Sequence, residues 1–302
     1  MASARSLFRF TVGIGALSVL AVVVVGGIVL SSLSFAVPSF AELFEACRRL
    51  VPAASLADIL LTALASLGLA STFYGVRAAF RHHRSRRRLL SRLEVVGHLD
   101  RAPYPVQIVE SPQPQAFCFG SLRPRIYLST GAVSALTPAE LDAVIAHETH
   151  HAAQRDPLRI LVAQALRDAL FFLPVMRHAA ERYRALAELA ADEAAVRQTG
   201  DAASLASAML TFDAKAPIGT VGIAPERVDH LLGQPPRWQL SLSLLGLGAV
   251  TLTVIAALSA AAALLVPAEG VSVVMLLMQL CALMPVLGGA MLVLIVRRSM
   301  LG

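Results

Sequence analysis

The stretch AVIAHETHHAAQRDP, residues 143–157, decides how this chain is read. Its centre, His147-Glu148-Thr149-His150-His151, sets two histidines four residues apart with a glutamate directly after the first. On a helix, residues i and i+4 are neighbours about 5–6 Å apart, which lets two imidazoles converge on one ion. Glu148 is turned about 100° around the helix axis, so it can reach a water beside that ion instead of ligating it. This is the physical content of the H-E-x-x-H pattern, in which the glutamate is the general base. His150 lies off the 147/151 face and is expected to be solvated.

The helix carrying these residues is itself legible. Thr137 followed by Glu140 makes a capping box, and Pro138 suits the first helical position. A helix is predicted from Pro138 to just before Asp156-Pro157, because a residue preceding proline is pushed out of the helical region. Asp156 is expected to cap or anchor that turn, an arginine being one partner for it, and is not assigned a catalytic role. Two more helices are predicted, over 158–174 and from 175 to about 198. A catalytic zinc takes three protein ligands and keeps one position open. The extended H-x-x-G-x-x-H form is absent, since residues 154–156 are Gln, Arg and Asp. Glu188 and Asp192, again i and i+4, supply the candidates. Glu188 is the expected third ligand, with Glu181 and Glu193 as fallbacks. Asp192 is placed to accept the outer ring N–H of a ligating histidine. Without an ion these polar groups would crowd against apolar faces unpartnered. One zinc per chain is therefore the expected cofactor, and Arg155 and Arg184 are the candidates for stabilising an oxyanion.

Around this centre the composition is that of a membrane protein. Of 302 residues, 56% are hydrophobic and 15% charged, with a mean hydropathy of +0.67, too apolar for an ordinary soluble domain. Four stretches can cross a hydrocarbon core of about 30 Å: roughly 10–33, 54–76, 240–266 and 271–296. The first exceeds the roughly 7–15 apolar residues of a signal peptide, so it is expected to stay uncleaved. Much of the net charge of +6 sits in RAAFRHHRSRRRLLSR, residues 77–92, directly after the second stretch. Arg5 and Arg9 precede the first stretch and Arg297 and Arg298 follow the last. The positive-inside rule then puts both termini and residues 77–237 in the cytoplasm. The arginine run is expected to meet the anionic headgroups of the bilayer, not nucleic acid. Asp58 reads as an interfacial residue at a helix start. Cys47, Cys118 and Cys281 have neither metal-ligand spacing nor a disulfide framework.

The expected organisation is two transmembrane helices in 1–76, a zinc metallopeptidase domain in 77–237 and two transmembrane helices in 238–302. Within the domain, YPVQIVES and AFCFGSLRPRIYLST read as short strands from their β-branched and aromatic residues. The strand near RPRIYLS could present an edge for an extended substrate.

His147-Glu148-x-x-His151, then Asp156-Pro157-Leu158, a helix ending in Pro174 and Glu188-x-x-Ala-Asp192, with FGSLRPRIYLS upstream, resembles the BlaR/MecR-type membrane metallopeptidases of bacteria. These gluzincins are related more distantly to the HtpX and CAAX-prenyl-protease type. The resemblance covers roughly residues 105–235. It implies zinc ligands at His147, His151 and Glu188, a general base at Glu148, a supporting Asp192 and a cytoplasmic active site in the bacterial inner membrane. Two departures accompany it. The last apolar stretch ends shortly before the end of the sequence, so the large extracellular penicillin-binding domain of the beta-lactam sensors is not expected. The helices are also split two and two around the domain, where the sensors usually have three and one.

The fold class expected is a mainly α membrane protein, four transmembrane helices with a cytoplasmic α+β gluzincin-like zinc peptidase domain inserted between helices 2 and 3. The expected function is a zinc-dependent endopeptidase that hydrolyses peptide bonds of a cytosolic or membrane protein. It would act in regulation, by cleaving a transcriptional repressor, or in membrane protein quality control. The competing reading is a non-proteolytic signalling or scaffold protein that retains the zinc-peptidase fold. An intact Glu148 argues against it, because a structural site needs no base.

Overall fold

The computed structural model describes residues 4–31, 33–34, 39, 41, 56–91, 93–99, 103–214, 224–231, 233, 242–265 and 271–272. In chain order the elements are α1 (Ala4–Ser31), β1 (Leu33–Ser34), α2 (Leu56–Leu90), β2 (Val95–Leu99), β3 (Val106–Val109), β4 (Ala116–Phe119) and β5 (Arg125–Ser129). They continue with α3 (Thr130–Ala135), α4 (Pro138–Gln154), α5 (Asp156–Ala169), α6 (Pro174–Thr199), α7 (Ala202–Ala214), α8 (Pro225–Leu231), α9 (Leu242–Leu265) and β6 (Val271–Ser272). They fall into two compact units, one of Met1–Gly15 with Phe73–Gly248 and one of Ala16–Thr72 with Ala249–Gly302.

Among the described residues, three helices are long and apolar enough to cross a membrane, over Ala4–Gly27, Ile59–His82 and Leu242–Leu265. In the Ala16–Thr72 and Ala249–Gly302 unit, Leu61 and Leu64 of α2 bury against Ala262 of α9, with Val25 of α1 alongside. Leu17, Leu20, Leu69, Val250 and Val254 point outward and stay exposed. Such faces suit hydrocarbon, where a helix also satisfies its own backbone polar groups. The fourth predicted span, 271–296, lies outside the described residues except for Val271 and Ser272, which pair in parallel with Leu33 and Ser34.

The other unit is built on a four-stranded sheet in the order β2-β3-β5-β4. β3 and β5 run parallel, while β2 on β3 and β4 on β5 are antiparallel. The inward residues Val106, Ile126 and Leu128 pack against Leu141, Val144 and Ile145 of α4, with Ala208 of α7 in the same cluster. Two alanines of α4, Ala143 and Ala146, meet Ala195 of α6 and Leu205 and Met209 of α7. These small side chains let three helices approach closely.

The first turns of α1 also belong to this unit. Leu7 and Thr11 are fully buried, and Leu7 clusters with Tyr183, Leu186 and Leu189 of α6. Hydropathy alone assigns residues from Phe10 onward to lipid, because it cannot separate burial in protein from burial in hydrocarbon. In the same unit, Arg81 near the C-terminal end of α2 pairs with Asp168 of α5. α2 continues unbroken through the arginine run to Leu90.

α4 begins at the capping box, with the Thr137 backbone N–H donating to Glu140 at 2.8 Å and the Thr137 side chain accepting from the Glu140 N–H. It ends at Arg155, the one non-glycine residue with positive φ among the described residues (φ 53°, ψ 40°). That left-handed residue turns the chain straight into α5, with Pro157 in its first turn.

Gly131, just inside α3, is fixed by close approach: a Cβ there would lie 2.2 Å from the carbonyl oxygen of Pro112. Gly131→Ala is expected to lower stability by about 1–3 kcal/mol, as overpacking does, read as a drop in Tm of the purified chain.

Candidate metal centre

His147 and His151 project from one face of α4 and are both buried. Their Nε2 atoms lie 3.1 Å apart. Glu188, from α6, reaches between them, with Oε2 3.6 Å from His147 Nε2 and Oε1 3.8 Å from His151 Nε2. One ligand atom from each of the three lies within 4.8 Å of the others.

The outer nitrogen of each imidazole meets a carboxylate. His151 Nδ1 is 2.9 Å from Asp156 Oδ2, and His147 Nδ1 is 2.9 Å from Asp192 Oδ1. The second contact is bent, at ion-pair distance but short of a straight hydrogen bond. Each carboxylate favours a proton on the nitrogen it faces, which turns both Nε2 lone pairs toward the same point. Two lone pairs and a carboxylate aimed at one spot repel unless a cation lies between them. Tetrahedral zinc with Zn–N of about 2.0–2.1 Å sets its ligand atoms about 3.3 Å apart. The observed separations are close to that, so the residues present fit the ion.

Electrostatics agree. Burial works against charge on His147, but Asp192, Glu188 and Glu148 outweigh it and raise its pKa to about 9 in the metal-free protein. Burial likewise opposes ionisation of Glu188, yet the hydrogen bond with His147 and the charges of His151 and Arg227 hold it at about 2. Asp192, also penalised by burial, is held below the usual carboxylate range by His147 and Arg227.

Glu148 is buried beside the cluster and accepts a hydrogen bond from the Cys118 backbone N–H. Burial is the largest influence on it and pushes its pKa up, with the two histidines opposing. The Cys118 thiol is pushed up to about 12, by burial first and then by Glu148 and Asp156, so it stays protonated.

Some predicted residues fall elsewhere. Glu181 pairs with Arg177, and Glu193 with Arg197 and His230, so neither fallback ligand belongs to the cluster. His150 is half-buried and outside it. Arg155 forms the left-handed turn, whereas Arg184 does line the cavity beside the cluster. Asp156, expected to cap or anchor the turn, holds His151 and accepts from the Tyr183 hydroxyl at 2.8 Å, and among the described residues no arginine pairs with it. Nothing in the sequence pointed to Arg227 of α8. Its Nε and Nη2 donate to the two oxygens of Asp192 at 2.8 and 2.6 Å, and its Nη1 lies 3.3 Å from Glu188.

The cluster floors an open cavity of about 550 Å³ bordered by β4, α5 and Arg227. β4, not the predicted RPRIYLS strand, is the edge facing it: β5 is enclosed between β3 and β4. The reason is a crossover that places the third strand of the sheet's sequence order outermost, which local pattern does not encode.

The model of the family described as BlaR1 peptidase M56 matches residues 18–227 of this chain. Among curated proteins, "Protease HtpX homolog 2" of Methanosarcina mazei is 32% identical over 87 residues, which is 28% of this chain and 29% of that protein. The protein of the same name from Methanosarcina acetivorans is 31% identical over 87 residues, with the same shares. The match thus spans less than a third of the length of these relatives.

Proposed function

The chain belongs to the BlaR1 peptidase M56 family, a membrane metallopeptidase, and from that premise we propose that it is a zinc-dependent endopeptidase of the bacterial inner membrane. The observation that carries the reading is the convergence of His147 Nε2, His151 Nε2 and the Glu188 carboxylate, with Glu148 beside them and outside the ligand set. His147, His151 and Glu188 would hold one zinc per chain. Asp192 and Asp156 orient the two imidazoles through their Nδ1 atoms.

Zinc, when bound, supplies a Lewis acid that polarises the scissile carbonyl and brings the pKa of water toward 7. Glu148 takes the water proton and passes it to the leaving amine. Burial favours its protonated form, which suits a group that must take up a proton and give it away again. The edge of β4 offers backbone groups to an extended polypeptide, so the substrate is a protein or peptide bound by strand addition. A cytosolic regulator such as a transcriptional repressor, or a membrane protein marked for removal, meets that description. The arginine run after the second membrane helix supports a cytoplasmic peptidase domain.

The test is purification of the full chain in detergent. It should contain one zinc and cleave an unfolded model protein, with cleavage lost on chelation and restored by added zinc. Bound zinc with no cleavage under any condition would favour the signalling or scaffold reading instead.

Zinc binding at pH 7 should also release about one proton, because a ligating imidazole must be neutral. His147, with its pKa near 9, is protonated there in the metal-free protein. The release should disappear as pH rises above 9. Titration calorimetry in buffers of different ionisation enthalpy counts the proton.

A further inference from the structure

A second cavity, of about 330 Å³, shares no lining residue with the one over the metal cluster and is lined by Arg5, Phe8, Arg9, Ala153, Gln154 and Arg159. Three arginines line it, two from the start of α1 and one from α5. No acidic side chain lines it, and none of the three arginines pairs with a carboxylate among the described residues.

Two of the three are tied to each other through one glutamine. Gln154 Oε1 accepts from Arg5 Nε at 3.0 Å and from Arg159 Nη1 at 3.5 Å. The Arg159 guanidinium also lies 5.6 Å from the centre of the Phe8 ring, a cation–π distance. One neutral amide oxygen cannot offset the mutual repulsion of three cations. An anion in the cavity would, and guanidinium forks match the oxygens of a phosphate.

The position selects the source of that phosphate. Arg9 is the last charged residue before an uncharged run from Phe10 to Ala41; that run is buried in protein at Thr11 and exposes successive large apolar side chains from Leu17 on, so Arg9 lies about two helical turns before them, on the headgroup side. Phe8 and Ala153 add apolar wall beside the guanidinium groups. We propose that this cavity binds the phosphate of an anionic phospholipid headgroup and so seats the peptidase unit on the membrane surface. The site shares a residue with the support of the metal centre: Arg159 hydrogen-bonds Tyr183, which donates to Asp156, the partner of His151. The proposal rests on the membrane-spanning reading and not on the zinc chemistry, so failure of one leaves the other standing.

The experiment compares Tm of the full chain in nanodiscs of dioleoylphosphatidylcholine alone and of the same lipid mixed with dioleoylphosphatidylglycerol. The expected result is a higher Tm with the anionic lipid, since a ligand that binds only the folded state raises it. Arg5→Gln and Arg9→Gln, both at exposed positions, should fold and lose most of that shift. Arg177→Gln, an exposed substitution outside both the cavity and the arginine run, should keep it. A shift that survives both α1 substitutions, or no shift at all, overturns the proposal. A shift reproduced in phosphatidylcholine by inorganic phosphate alone overturns the lipid source and assigns the cavity to a soluble anion.

Discussion

Replacing Glu148 by Gln is expected to leave the bound zinc in place and to slow peptide cleavage by about 10²- to 10⁴-fold, the usual worth of a general acid–base group. The two halves of that expectation come from different features of the site. Zinc retention follows because the converging ligand atoms belong to His147, His151 and Glu188, and Glu148 is not among them. Glutamine matches glutamate in shape, and its carbonyl can keep the hydrogen bond from the Cys118 N–H that positions the side chain. It cannot take a proton, so the water loses its base and the leaving amine its acid. In the wild type, activity should fall on the acid side as Glu148 protonates, and burial moves that limb to higher pH than an exposed glutamate would give. Zinc content by elemental analysis and initial rates on an unfolded protein decide it. Equal rates in the two proteins would remove Glu148 from the chemistry.

The features legible in the sequence are those encoded within a single helix. His147 and His151, Glu188 and Asp192, and Thr137 and Glu140 are each set three or four residues apart, and helical geometry converts the spacing directly into a shared face or a cap. Each pair is brought together in the structure as the spacing requires.

What could not be read depends on breaks in periodicity or on distance along the chain. Asp156 is five residues from His151, off any helical repeat, and reaches it only because Arg155 adopts a left-handed conformation that swings α5 back toward α4. Tyr183 and Arg227 meet Asp156 and Asp192 from 27 and 35 residues away. Arg227 follows a Pro/Gly-rich stretch that reads as a linker. β2, VVGHL, carries a glycine and no strict alternation, and its pairing with β3 is broken by a bulge between Val95 and Gly97. The strand that borders the cavity could not be chosen because order within a sheet is a property of crossovers, not of strand composition.

Arg227→Gln is expected to weaken zinc binding by about 10- to 100-fold, the loss typical when a partner behind the ligands is removed. Arg227 does not lie among the ligand atoms; it acts through two residues that do meet the site. Its planar fork holds both oxygens of Asp192, a carboxylate with no solvent exposure, while its remaining nitrogen reaches the ligand Glu188. Removing the charge leaves Asp192 buried with only His147 to neutralise it, and frees Glu188 to turn from the cluster. Lysine should recover part of the loss at most, because one ammonium cannot bind Asp192 bidentately and reach Glu188 as well. The helix carrying Arg227 should remain docked in both variants, since Glu226 still pairs with Arg182 and His230 with Glu193. Competition with a chelator of known affinity gives the zinc Kd, and Tm of the metal-free proteins reports folding separately. A lower Tm with an unchanged zinc Kd would reduce Arg227 to a structural tie between α8 and α6; a weakened Kd at nearly constant Tm would make it a positioning residue of the metal centre.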